Sequence, residues 1–220
     1  MRTLLYNADF FTGTEVITGK ALVIGEARIE RFIDPAEAPS DALHINCNGG
    51  LVTAGMIDLQ IAGGGGCLFS ACPTPEALTR ITESILATGT TGFLLALPTN
   101  SDEVYCEAFA VMAGCVHPAV MGLHMEGPFI SHARRGAHAQ ELIKKATAEN
   151  VEALLKQASG TIRMMTVAPE ACPPEVIRLL TDNGITVAAG HSNATFREAT
   201  DGFEAGIATP THLYNAMSPL

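Results

Sequence analysis

The sequence predicts an α/β protein in which a small β module precedes an incomplete (β/α) TIM barrel of about six βα units. Apolar residues make up 47% of the chain and aromatic residues only 5%, a composition typical of a parallel sheet buried under helices. The first fifty residues form short alternating runs, whereas apolar runs alternate with helical stretches from residue 51 onward. Two domains are therefore expected, residues 1–50 and residues 51–220.

The first domain is expected to be a small, sandwich-like β module with antiparallel strands. Its short alternating runs are TLLYNADFFTG, ALVIGEARIERFID and ALHINCNGG. Turn-forming residues separate these runs, among them Gly13, Gly19, Pro35 and the pair Gly49 and Gly50. Such spacing is typical of strands joined by tight turns.

The second domain is expected to contain six buried strands with helices between them. The strands are predicted at 51–60, 91–98, 119–127, 161–169, 184–191 and 206–212. Helix starts are predicted where Thr74 precedes Pro75, at Ser101, at Thr147 and at Pro174, because these residues favour the first positions of a helix. The pattern from residue 51 is a repeated βα unit.

Periodicity alone leaves open whether the sheet is doubly wound or closed into a barrel. Glu126, His191 and His212 each stand at the carboxyl end of a different apolar run, and barrel enzymes carry their chemistry at that end of the strands. A complete barrel takes about 250 residues, whereas residues 51–220 provide six strands. We therefore expect a partial barrel, in a fragment or a truncated product.

The same three residues predict a metal site. One carboxylate and two imidazoles suit a single divalent ion, Zn²⁺ or Fe²⁺, with a position left open for water. Such an ion activates water and polarises a carbonyl group, so the expected reaction class is hydrolysis of an amide or ester. The alternative, that Glu126, His191 and His212 are ordinary hydrogen-bonded residues at strand ends, stays open at this point.

Composition excludes several other classes of function. The formal net charge of −10 makes a nucleic acid or an anionic membrane surface a poor partner. No apolar stretch reaches the roughly 18 residues that span a bilayer. The six cysteines form no C-x-x-C pair and are expected to be reduced thiols. A cytoplasmic protein acting on a small molecule is therefore expected.

Four strings of the second domain resemble the N-acetylglucosamine-6-phosphate deacetylase family of the amidohydrolase superfamily. They are GLHMEGPF (122–129), RRGAH (134–138), AGHSNAT (189–195) and THLYNAM (211–217), in that order. The resemblance covers essentially the whole chain but only the N-terminal part of such an enzyme. It implies an amidohydrolase-type barrel and a homodimer in the full-length protein.

The resemblance also implies which residues act. Glu126, His191 and His212 would hold the metal ion, and His138 would help to stabilise the oxyanion. The residues implied to lie along the amino sugar phosphate are Ala137, His138, Asn215 and Ala216. The implied reaction removes the acetyl group from N-acetylglucosamine 6-phosphate and yields glucosamine 6-phosphate and acetate.

Two departures from the family pattern limit this assignment. Gln60 and Ala62 stand where many amidohydrolases bind a second metal, so one ion is expected. The family's general acid/base, an Asp on the last barrel strand, would lie beyond Leu220, so no catalytic acid/base is expected within the chain. The alternatives are an amidohydrolase acting on a related N-acetyl-hexosamine phosphate, such as the galactosamine epimer, and a catalytically inactive truncated fragment.

Overall fold

The first unit of the fold is a five-stranded sheet. A computed structural model describes residues 1–218, and their contacts divide the chain between Gly55 and Met56. The strands of the first unit are β1 (Arg2–Phe11), β2 (Val16–Ile17), β3 (Ala21–Gly25), β4 (Arg28–Ile33) and β5 (Leu43–Thr53). The order β2-β1-β3-β4 is antiparallel, and β5 pairs with β1.

Two expectations for this unit need correction. The sheet is mixed rather than antiparallel, because residues 34–42 carry the chain back across the sheet and β5 then runs parallel to β1. The run 51–60 is not one strand, because Leu51 to Thr53 pair with Asp9 to Phe11 as the end of β5. The five strands form one sheet, so the sandwich-like packing of two sheets stays a prediction.

The second unit is a half-barrel of parallel strands with intervening helices. Its strands are β6 (Met56–Ile61), β7 (Gly63–Gly64), β8 (Cys67–Leu68), β9 (Thr90–Pro98), β10 (Val120–Glu126), β11 (Ile162–Val167), β12 (Thr186–Ala189) and β13 (Thr209–Pro210). Its α-helices are α1 (Pro75–Leu86), α2 (Asp102–Ala113), α3 (Ala148–Ala158), α4 (Pro174–Asp182) and α5 (Phe196–Ala205). The six-stranded sheet has the order β6-β9-β10-β11-β12-β13, and all its pairs are parallel. All six strands therefore end at one rim.

Local capping explains where the helices begin. The hydroxyl oxygens of Thr74, Ser101 and Thr147 accept hydrogen bonds from backbone N–H groups in the first turns of α1, α2 and α3. The four predicted helix starts are confirmed. Helix α5 was not predicted, although the sequence contains its signal: Thr195 and Glu198 form a capping box, a T-x-x-E pattern.

The apolar core of this unit lies between the sheet and its helices. Its largest fully buried side chains include Phe93, Leu123 and Met165 on three neighbouring strands. A separate small cluster of Leu94, Met164 and Ala188 is also buried. Within residues 1–218, every helix is too short or too polar to be a candidate for crossing a membrane.

Candidate metal centre

Three side chains meet at the carboxyl-terminal rim of the half-barrel. Glu126 is the last residue of β10, and His191 and His212 each follow their strand, β12 and β13, by two residues. The Nε2 atoms of His191 and His212 lie 3.2 and 2.9 Å from Oε1 of Glu126, and 3.2 Å from each other. In the part of the chain that the structure describes, this is the one group of three or more His, Cys, Asp or Glu side chains that could hold a metal ion.

Hydrogen bonds on the far side of each ring direct both imidazoles inward. Nδ1 of His191 lies 3.0 Å from the carbonyl oxygen of Arg134, and Nδ1 of His212 lies 3.0 Å from that of Asn215. A carbonyl oxygen only accepts, so each Nδ1 donates its proton, and Nε2 is the ring atom that faces Glu126. These outer partners are the kind that metal-binding histidines have in proteins.

The spacing of the three ligand atoms fits a metal ion. Lone pairs that converge on one volume repel each other unless a cation lies among them. A tetrahedral ion about 2.0–2.1 Å from each ligand atom holds those atoms about 3.3 Å apart. The observed separations of 2.9 to 3.2 Å are close to that value, and the donor set suits Zn²⁺ or Fe²⁺.

The electrostatics of the cluster also favour a cation. Burial alone would raise the pKa of Glu126, but hydrogen bonds with His191 and His212 outweigh burial and lower the pKa to about 2. Burial alone would lower the pKa of His191, but the hydrogen bonds with Glu126 and with the Arg134 carbonyl outweigh burial and raise this pKa above its usual value. The carboxylate is therefore anionic at neutral pH and attracts positive charge into the centre.

Backbone conformation places the two histidines. His191 and His212 have φ angles of 46° and 32°, in the left-handed region that non-glycine residues rarely adopt. Gly190, directly before His191, allows a close approach of the backbone: a Cβ atom there would lie 2.6 Å from Cγ2 of Thr166 and 3.1 Å from Cβ of Thr211. Both strained residues therefore belong to the cluster itself, and strained backbone conformations are concentrated at functional sites in proteins.

Gln60 takes part in the cluster as a donor and not as a second metal ligand. Its Nε2 donates to Oε1 of Glu126 at 2.9 Å, and its backbone N–H donates to Oδ1 of Asp58 at 2.9 Å. Ala62 is exposed and offers no ligand atom. The Gln60 amide therefore orients the Glu126 carboxylate.

We expect the metal-free chain to take up about one Zn²⁺ ion, because within residues 1–218 only Glu126, His191 and His212 offer suitable atoms at one point. Elemental analysis after dialysis against Zn²⁺ and removal of the excess measures the stoichiometry. His212→Ala should reduce the bound metal to near zero. Two tightly held ions per chain would contradict the single-ion prediction.

His138 is a further titratable side chain beside the cluster. It is buried, and its ring packs edge-on against the ring of His191, with the centroids 4.4 Å apart. Burial and the neighbouring His191 lower the pKa of His138 to about 4, so the ring is neutral at pH 7. The backbone N–H of Thr99 donates to Nδ1 of His138 at 3.2 Å, which leaves the proton on Nε2. The sequence contained no signal for this role of Thr99.

The other three implied substrate residues lie on rim loops. Ala137 is exposed beside His138, and Asn215 is exposed with its carbonyl oxygen bonded to His212. Ala216 has a φ angle of 50°, and its carbonyl oxygen accepts from the backbone N–H of Ser192 at 3.1 Å. The loop that contains Asn215 and Ala216 is thus joined to the loop that contains His191.

A buried chain of hydrogen bonds lies beneath the cluster. Nδ1 of His124 lies 2.8 Å from the carbonyl oxygen of Leu59, so it donates, and Nε2 then accepts from Oγ1 of Thr166 at 2.7 Å. Oγ1 of Thr166 lies 2.7 Å from Oγ1 of Thr211. Burial lowers the pKa of His124, so a neutral ring links strands on both sides of the centre. We interpret His124 as a satisfied core histidine that supports the strands.

Comparison with known proteins adds family relationships to this geometry. The sequence profile of the Amidohydrolase family matches residues 51–219. The chain is 37% identical over 188 residues, 84% of its length, to N-acetylgalactosamine-6-phosphate deacetylase of Shewanella sp. (strain ANA-3). It is 34% identical to N-acetylglucosamine-6-phosphate deacetylase of Haemophilus influenzae, over an alignment of 223 positions that covers 100% of this chain.

A solved structure agrees with these relationships. The chain superimposes on N-acetylglucosamine-6-phosphate deacetylase from Pasteurella multocida with a TM-score of 0.92 and 34% identity, over 100% of this chain and 58% of that one. The chain covers 48% and 58% of the two relatives from Shewanella and Haemophilus. It therefore spans about half the length of the curated relatives that it matches.

Proposed function

Because the chain belongs to the amidohydrolase family, we propose that its half-barrel is the metal-binding part of a hydrolase that removes the acetyl group from N-acetylglucosamine 6-phosphate. The products are glucosamine 6-phosphate and acetate. One observation carries this proposal: Glu126, His191 and His212 converge beside His138 in a chain that is 34% identical over its entire length to a deacetylase of that name.

The residues of the cluster have separate tasks in this reaction. Glu126, His191 and His212 would hold a divalent ion, which would supply Lewis acidity and lower the pKa of a water molecule. His138 donates its Nε2 proton in a hydrogen bond to the acetamide carbonyl oxygen, where negative charge develops. Gln60 holds the Glu126 carboxylate in place through its 2.9 Å hydrogen bond.

We assign substrate contacts to the rim loops. Ala137 and His138 lie along the sugar, and Asn215 and Ala216 contact it near its phosphate. Backbone N–H groups in left-handed turns form anion-binding concavities, and Tyr214 and Ala216 have φ angles of 69° and 50°. A phosphate can therefore be held without a strongly basic surface, which agrees with the net charge of −10.

The proton for the departing amine is assigned to a residue that the structure does not describe. The general acid/base Asp predicted beyond Leu220 lies outside the described residues. Breaking the amide bond requires protonation of the amine, and general acid–base help contributes about 10²- to 10⁴-fold to the rate. The proposed deacetylase activity is therefore that of a protein with the full length of the Shewanella and Haemophilus relatives.

Release of acetate from N-acetylglucosamine 6-phosphate tests the proposal. We expect slow or no release by the 220-residue chain with Zn²⁺ added, and turnover about 10²- to 10⁴-fold faster by a chimera that joins this chain to the carboxyl-terminal part of the Haemophilus influenzae relative. The same chimera with His191→Ala is the matched control. A folded, metal-loaded chimera without activity would refute the assignment, provided that the intact relative is active in the same assay.

A second candidate substrate is N-acetylgalactosamine 6-phosphate. It is favoured by the 37% identity to a relative named for that epimer. The two sugars differ only in the orientation of one hydroxyl group, so the same assay run with both compounds decides between them. We expect the glucosamine epimer to give the higher kcat/KM.

Location and assembly are further parts of the proposal. All six cysteines are free thiols in the described part of the chain, and this supports a reducing compartment such as the cytoplasm. We also propose a homodimer for the full-length protein. Light scattering combined with gel filtration of the chimera measures its mass and tests the dimer.

A further inference from the structure

We propose that Glu170 is a positioning residue for the candidate metal centre, and that its carboxylate fixes the orientation of both histidine ligands. Glu170 lies in the short 3-10 turn Pro169–Ala171 that follows β11. It belongs to none of the sequence strings that resemble the deacetylase family. The inference rests on the proposed function, because it concerns the same metal centre.

Both oxygens of Glu170 bind the loop that follows His191. Oε2 accepts from Oγ of Ser192 at 2.7 Å, and Oε1 accepts from the backbone N–H of Asn193 at 2.6 Å. Hydrogen bonds to an ionised acceptor are about twice as strong as those between neutral groups. One side chain from the turn after β11 therefore holds two consecutive residues beyond β12.

The contact with Asn193 continues to the first histidine ligand. Oδ1 of Asn193 accepts from Nε of Arg134 at 3.0 Å. The carbonyl oxygen of Arg134 in turn accepts from Nδ1 of His191 at 3.0 Å. His191 is thus held on its ring side by the loop that contains Arg134 and on its backbone side by the contact of Asn193 with Glu170. These contacts stabilise the left-handed conformation of His191, which a non-glycine residue rarely adopts.

The contact with Ser192 continues to the second histidine ligand. The backbone N–H of Ser192 donates to the carbonyl oxygen of Ala216 at 3.1 Å. The carbonyl oxygen of Ser192 accepts from the N–H of Ser218, also at 3.1 Å. In the same segment the carbonyl oxygen of Asn215 accepts from Nδ1 of His212 at 3.0 Å. Glu170 therefore connects to both carbonyl groups that set the direction of the imidazole lone pairs.

Metal affinity provides the test, with Glu170→Gln as the variant. Glutamine keeps the size of the side chain but removes its charge. Its oxygen can accept from the Asn193 N–H, while its NH₂ group then faces the Ser192 hydroxyl group, which must accept instead of donate. Both hydrogen bonds lose the added strength of an ionised acceptor. Loss of an outer partner of a metal ligand lowers metal affinity about 10- to 100-fold. Glu170 acts one step farther out, through the residues that bond those partners, so we expect a loss at the lower end of this range, about 10-fold, for Zn²⁺. Competition with a chelating dye on the full chain measures it.

A spectroscopic readout separates positioning from general stability. Co²⁺ in place of Zn²⁺ reports the geometry of its ligands through its visible absorption bands, and we expect these bands to shift in Glu170→Gln. The matched control is Glu204→Gln, on the exposed surface of α5, which should leave both affinity and bands unchanged. Affinity and Co²⁺ bands in Glu170→Gln that match those of the unsubstituted chain would overturn the inference.

A second variant keeps the test decisive if Glu170→Gln does not fold. Ser192→Ala removes the hydroxyl donor to Oε2 and leaves Glu170 in place, so a several-fold weaker Zn²⁺ affinity is expected. A folded Ser192→Ala chain with unchanged affinity would overturn the inference. If the unsubstituted chain binds one ion but neither variant changes its affinity, only this inference fails. If the unsubstituted chain binds none, the proposed function fails, and the role of Glu170 with it.

Discussion

Replacing Glu126 by glutamine should lower the affinity for Zn²⁺ by more than about 100-fold. Glu126 is the single anionic member of the cluster, and its Oε1 lies 2.9 and 3.2 Å from the Nε2 atoms of His212 and His191. Loss of an outer partner alone costs about 10- to 100-fold, so loss of a charged ligand should cost more. Competition with a chelating dye on the purified chain gives the affinity.

The variant is expected to remain folded. Glutamine has nearly the size and shape of glutamate, and Gln60 can still donate to the side-chain oxygen at position 126. Circular dichroism of the metal-free chain checks the fold, and Glu152→Gln on the exposed face of α3 is the matched control. An affinity within a few fold of the unsubstituted chain would show that Glu126 is not a ligand.

His138→Asn in the active chimera should lower kcat for acetate release by about 10²- to 10³-fold, the usual cost of removing one donor to a developing oxyanion. Asparagine can keep an oxygen acceptor for the Thr99 N–H, which donates to Nδ1 of His138 at 3.2 Å. It removes only the donor at Nε2. The Zn²⁺ affinity should therefore stay unchanged while kcat falls.

Two companion variants test whether the missing donor causes the loss. His138→Gln presents an amide N–H farther along the side chain and should recover part of the activity. His132→Asn changes an exposed histidine of a neighbouring loop and should have no effect. An unchanged kcat in His138→Asn would remove His138 from the proposed reaction, and a lost metal ion would instead make it part of the metal site.

The predicted ligands come together because their positions follow from strand order. The sequence indicates that Glu126, His191 and His212 each end an apolar run, and neighbouring parallel strands must end at one rim. The predicted helix starts at Thr74 and Ser101 are confirmed for a similar reason, since a cap depends on residues only two or three positions away. Strand order and helix caps depend on the order of neighbouring residues, and the sequence gives that order directly.

Other features depended on partners distant in the chain. Residues 51–53 pair with β1 rather than starting the second unit, because the register of β5 is set by residues 9–11, which lie 42 positions earlier in the chain. Gln60 donates to Glu126 across 66 positions, and Glu170 reaches Ser192 across 22.

By itself, the sequence determined the alternation of strands and helices in the second unit, the rim at which its polar residues gather and the identity of three candidate ligands. Only the tertiary structure decided which carbonyl groups hold the two imidazoles, why His138 carries its proton on Nε2, and which carboxylate supports the loops around them. Most of the hydrogen bonds behind these three features join segments that are far apart in the sequence, and residue spacing does not predict which of these segments meet. The distances and directions of those bonds exist only once the strands have packed.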